Sequence, residues 1–155
     1  MPSRIPTIPP PVKGPAGCYK CDAKRCVTCK EHITITSTFT SVRTKHQYTI
    51  RDHLTCKTPN IIYLIDCRRC RDTQYVGETG KTLQDRFHHH RSDIRTHKDA
   101  SVAKHFNSAN HTLADLACTA IEQVRHHNKT ARLERERYWR HKLKTNYPDG
   151  LNVWD

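Results

Sequence analysis

Apolar residues along the chain change period several times, and each change predicts an element. Between Ile33 and Ile50, the residues Ile33, Ile35 and Phe39, then Tyr48 and Ile50, recur in near-alternation around a polar break at Thr44-Lys45. That is the pattern of a β-hairpin with one buried face. Ile61 to Ile65 is an isoleucine-rich run and Gln74-Tyr75-Val76-Gly77 a second short one. Both predict core strands, joined by a turn that carries Cys67 and Cys70. The period then lengthens: Leu83, Phe87, His90 and Ile94 share a helical stripe to about His97, and Thr82 with Asp85 has the form of a capping box. A short helix over Val102 to Phe106, a strand near Leu116 to Ile121 and a long helix over about Lys129 to Lys144 follow, before a Pro148-Asp149-Gly150 turn.

Composition adds that packing needs help. The apolar fraction is 35%, below the roughly 45 to 50% of ordinary globular chains. A length of 155 residues suits one domain with a satellite. The expected division is a proline-rich arm over 1–17, holding six of the eight prolines, a cysteine-rich extension with the hairpin over 18–56, and the main domain over 57–155. A net charge of +12 favours a polyanionic partner through counterion release. Taken alone, that charge also fits a solvated basic surface. No apolar run approaches the roughly 20 residues that span a bilayer, so no membrane partner is expected. The start of the chain lacks an apolar signal core, which predicts an intracellular setting with reduced thiols.

Reduced cysteines at short spacing predict metal. Cys18, Cys21, Cys26 and Cys29 form paired CxxC knuckles, and thiolates in such pairs converge on one tetrahedral Zn²⁺. With Cys56, five sulfurs compete for four positions, and the spacing leaves the membership of Cys18 and Cys56 open. Cys67 and Cys70 form a second CxxC, which His105 and His111 can complete as a CCHH zinc site. A redox dithiol would require a thioredoxin-like βαβ context, which is absent. Cys118, alone in an apolar strand, is expected to be a small buried hydrophobe.

Two polar features fall on faces that should be buried. Arg86 and His90 are four apart on the first helix and therefore share a side; a guanidinium beside an imidazole can hold a phosphate and handle a proton, although the pair alone reads more simply as a satisfied core histidine and a surface arginine. His88 and His89 face elsewhere. On the last helix, Glu136 precedes Trp139 and Leu143 at helical spacing. It is either an oxygen ligand for Mg²⁺ or the ion-pair partner of Arg132 or Arg140, and periodicity does not separate it from Glu134.

Taken in order, Ile61-Ile62-Tyr63, then Tyr75-Val76-Gly77, Arg86, His90, Glu136 and Asn152 resemble the signature of the GIY-YIG nuclease superfamily. The chain is most similar to the Penelope-like retroelement branch, from about Cys18 to Asn152. Ile61 stands where the superfamily's first glycine usually sits. The resemblance implies an α/β fold with a small three-stranded antiparallel sheet flanked by helices, extended at the amino-terminal side by the zinc knuckle and hairpin. It implies a metal-dependent DNA endonuclease. Tyr63 would be general base or orient the attacking water, Tyr75 and His90 would assist proton transfer, and Arg86 would stabilise the pentavalent phosphate. Glu136 would hold the catalytic Mg²⁺ or Mn²⁺, Asn152 would orient the pocket or substrate, and Gly77 would allow close backbone approach. It also implies the CCHH zinc set, nicking of target DNA to prime retroelement insertion, the reverse transcriptase of the same polyprotein as partner, and a nuclear location. The competing expectations are a non-catalytic zinc-binding nucleic-acid module and, further off, a zinc adaptor for proteins.

Overall fold

The isoleucine run lies at the centre of the molecule. In the computed structural model, which describes residues 14–153, it forms the middle of strand β5 (Pro59–Cys67). Strand β6 (Gln74–Thr82) pairs with it on one side and β7 (Leu116–Gln123) on the other, both antiparallel, giving the order β6-β5-β7. Burial on both faces is why β5 reads as continuous apolar sequence, whereas edge strand β6 can be polar from Glu78 onward. This is why the apolar pattern shows only the first part of β6. The first 13 residues of the expected arm lie outside the described residues.

Helices close over the sheet. Helix α2 (Leu83–Arg95) starts where expected, with the Thr82 side chain accepting the Asp85 N–H, and buries Leu83, Phe87, His90, Arg91 and Ile94. Helix α3 (Ser101–Phe106) packs Val102 and Phe106 into the core. Helix α4 (Lys129–Leu143) is capped by Asn128, whose side chain accepts the Ala131 N–H, and ends at Lys144 in the left-handed region. Ile62, Glu78 and Glu122 stand in one row across the three strands, on the face opposite Tyr63. Arg132 and Arg135 of α4 take those two carboxylates at 2.8 and 2.6 Å, so α4 covers that face.

The amino-terminal extension packs onto this frame. Strands β2 (Thr38–Thr40) and β3 (Gln47–Thr49) form the expected hairpin, with Lys45 at positive φ in its turn. Phe39 and Tyr48 meet Trp139 of α4 edge-on, and the Ser41 hydroxyl donates to the Leu143 carbonyl. Three elements have no periodic signal: β1 (Gly17–Tyr19), helix α1 (Val27–Glu31) and β4 (His53–Thr55), which pairs with β1 in parallel. The thiols of Cys18 and Cys56 and the side chains of Leu54, Phe87 and Leu116 belong to one contiguous core. No helix among the described residues is long and apolar enough to cross a membrane.

Candidate active site and metal centres

Tyr63 occupies the middle of β5, directly opposite Gly77 on β6, with Tyr75 two residues earlier on the same face. A Cβ on Gly77 would collide with the Tyr63 ring and hydroxyl. Glycine at this register position is what allows the phenol to lie across the neighbouring strand. Helix α2 supplies the rest of that face. Phe87 meets the Tyr63 ring edge-on at 5.5 Å between centroids, and His90 Nε2 lies 2.8 Å from the Tyr63 hydroxyl.

Electrostatics assign the protons. Burial, then the charge of Arg86, depresses His90 to about 3. Its imidazole is therefore neutral near pH 7, and Nε2 can accept the Tyr63 O–H. Burial also holds the Tyr63 phenol well above its ordinary value, with Tyr75 pushing the same way and Arg86 against it. Tyr75, less enclosed, is raised by burial and by Glu136 and drawn down by Arg86 and Arg140. The Arg86 guanidinium thus stands beside both phenols and favours their ionisation.

Glu136 also acts on this pair. From helix α4, its charge opposes the ionisation of Tyr63 and of Tyr75. Arg140 donates to its Oε1 at 3.4 Å, while Arg132 goes instead to Glu78. Glu134 is exposed and lines a groove on another side of α4, with Tyr48 and Trp139. Of the two sequence readings of Glu136, the ion pair is present, with Arg140 as its partner.

Asn152 does structural work. Its side-chain amide accepts the Val76 N–H at 2.8 Å, donates to the Val76 carbonyl at 2.8 Å, and accepts the Thr145 hydroxyl at 2.7 Å. A single side chain therefore continues the sheet beyond edge strand β6, next to Tyr75. Arg140, only 5% exposed, ties the same region together through the Asn146 side chain and the Val153 carbonyl at 2.7 and 2.6 Å.

The cysteines sort into two sets. Sγ atoms of Cys21, Cys26, Cys29 and Cys56 all lie within 4.8 Å of one another, with Cys26 to Cys56 at 3.4 Å and Cys29 to Cys21 at 3.6 Å. A tetrahedron with Zn–S bonds of about 2.3 Å has edges of about 3.8 Å, so this donor set fits one zinc ion. Cys18 is the spare: it is fully buried, its Sγ accepts the Ala120 N–H, and burial raises its thiol to about 11. Cys118 is buried as expected.

Cys67, Cys70, His105 and His111 form the second set, with Cys70 Sγ at 3.6 Å from His105 Nε2. Bonds of about 2.3 and 2.05 Å give a sulfur-to-nitrogen edge of about 3.6 Å. His111 Nε2 is buried with no partner, while its Nδ1 lies 3.0 Å from the Ala109 carbonyl. That contact places the proton on Nδ1 and leaves the Nε2 lone pair for a metal.

Three contributing residues escaped the sequence reading: Gln74, Gln84 and Arg91. Gln74, 2% exposed, binds Asp66, the Thr40 carbonyl and the Val42 N–H, joining hairpin to sheet. Arg91 was findable, because it lies four residues after Phe87 on the buried stripe.

The sheet, its flanking helices and the gathered side chains define an α/β protein of GIY-YIG fold with a cysteine cluster suited to zinc. Among solved structures, the catalytic domain of homing endonuclease I-TevI is similar, with a TM-score of 0.50 and 24% identity over 61% of this chain and 97% of that one. No family model and no curated protein matches the chain.

Proposed function

We propose that this protein is a metal-dependent DNA endonuclease, with residues 57–155 as the nuclease domain and 18–56 as a zinc-binding extension. The observation that carries the reading is the gathering of Tyr63, Tyr75, Arg86 and His90 from two strands and one helix, with the charge of Glu136 on α4 acting on both phenols. Arg86 binds the phosphodiester and stabilises charge as it grows on the phosphoryl oxygens. Tyr75, the more open phenol, orients the attacking water. Tyr63 takes the water proton while passing its own to His90 Nε2. Glu136 would hold a Mg²⁺ or Mn²⁺ ion, which would supply Lewis-acid stabilisation of the scissile phosphate. Asn152 and Gly77 position the two tyrosines. Zinc at one or both cysteine sites is structural.

The net charge of +12 supports a nucleic-acid substrate, and the I-TevI domain is named as part of an endonuclease. The likeness to Penelope-like elements supports a finer reading: nuclear action, nicking of target DNA to prime insertion, and partnership with the reverse transcriptase of the same polyprotein. Supercoiled plasmid with Mg²⁺ tests the activity and the nick together. Conversion to open circles by the wild type but not by Glu136→Ala is expected. Salt-sensitive binding with no cutting under any divalent ion would instead make this a non-catalytic nucleic-acid module.

A further inference from the structure

Helix α2 presents Arg86 and His90 to the tyrosines, and a further set of its contacts runs to the cysteine knuckle. In its first turn, the Gln84 N–H donates to the Cys56 carbonyl at 2.9 Å and the Gln84 side-chain amide donates to Cys26 Sγ at 3.6 Å. About two turns later, Arg91 donates to the Thr28 hydroxyl at 2.9 Å in α1, the short helix that also carries Cys29. These two attachments bracket Arg86 and His90.

Arg91 is 7% exposed, and among the described residues no carboxylate lies within ion-pair distance of it. A buried cation requires a countercharge. Burial and the neighbouring Arg95 disfavour its charged form, and the sulfurs of Cys26 and Cys118 favour it. Four thiolates around one divalent ion carry net negative charge, and Thr28, which accepts the Arg91 hydrogen bond, lies between Cys26 and Cys29 in the knuckle.

We propose that Arg91 and Gln84 are positioning residues through which the metal-loaded knuckle fixes α2, and with it Arg86 and His90, against the tyrosine face. Arg91 supplies the countercharge to the thiolate cluster, and Gln84 orients the Cys26 sulfur while anchoring the start of the helix. Removing the knuckle metal leaves Arg91 as an uncompensated buried charge and loosens the catalytic helix. The inference rests on the metal reading of the knuckle and, for its effect on cleavage, on the nuclease reading.

The test uses the full chain loaded with Co²⁺ in place of zinc, because four sulfurs give a stronger thiolate-to-cobalt absorption band than two. Loss of that band to excess chelator is expected to run about ten- to a hundredfold faster in Gln84→Ala and Arg91→Met, with Arg91→Lys recovering much of the difference. Amide hydrogen exchange over 83–95 is expected to rise in Arg91→Met and in the wild type stripped of knuckle metal. If Arg91→Met does not fold, Gln84→Ala, an edge contact, carries the test alone. Unchanged release rates together with unchanged exchange on stripping would overturn the coupling. Should both change in a chain that cuts no DNA, the nuclease reading fails while the coupling stands; should the chain cut DNA with neither changed, the coupling alone fails.

Discussion

The contact between Tyr63 and His90 sets the chemistry open to individual residues. A neutral imidazole that accepts the Tyr63 O–H opens a route in which the phenol oxygen takes a proton from water as its own passes to His90 Nε2, so no phenolate is left in the core. Tyr63→Phe removes that route with little change of shape, so cleavage should fall about a hundredfold or more while the melting temperature barely moves. His90 also marks the acid limb of stability. Its folded value, about 3, lies below the unfolded value of about 6.5, so its contribution is complete above pH 6.5 and is lost as pH falls toward 3. The slope is about 1.4 kcal/mol per pH unit. Urea unfolding at pH 7 and pH 5 should show a smaller drop in His90→Gln than in the wild type. Gly77→Ala acts by shape: its Cβ meets the Tyr63 ring. It should destabilise by about 1 to 3 kcal/mol and depress cleavage further than that loss alone explains, as read from melting curves and rates side by side.

Among elements, legibility followed periodicity. Strand β5, helix α2 with its Thr82 cap, the hairpin turn at Lys45 and helix α4 all lie where apolar spacing and capping residues put them. The three-residue strands β1 and β4 do not, because their pairing joins segments far apart in sequence and buries alternate residues too few to form a pattern. Arg86 and His90 were legible as one helix face. The company of Glu136 was not, since Arg132 and Arg140 both stand four residues from it and only the fold sends Arg132 to Glu78. Likewise, spacing alone could not choose among five cysteines; a parallel β1–β4 pairing carries Cys18 toward Ala120 and leaves Cys56 for the knuckle. Asn152 is the element-scale counterpart of a strand. Asn152→Ala would leave the Val76 N–H and C=O unpaired at the sheet edge, costing about 2 to 4 kcal/mol, measurable by denaturant unfolding.

At the scale of the whole molecule, a low apolar fraction is offset by two clusters of metal-ligand side chains, one contributed by residues before β5 and the other starting at its last residue, Cys67. Chelation of the metal proposed for these clusters should therefore lower the melting temperature by many degrees. For the proposed DNA substrate, the net charge of +12 would set affinity without setting sequence. With four phosphate contacts, binding should weaken about a hundredfold between 50 and 200 mM salt. The central claim is that distant side chains form a single hydrolytic site, and a double-mutant cycle on single-turnover cleavage of a DNA duplex tests it most directly. Arg86→Ala and Glu136→Ala should each lower the rate about a hundredfold or more, and the double variant should lose little beyond the worse single. Cleavage by all three at the wild-type rate, or losses that simply multiply as for independent sites, would contradict the account.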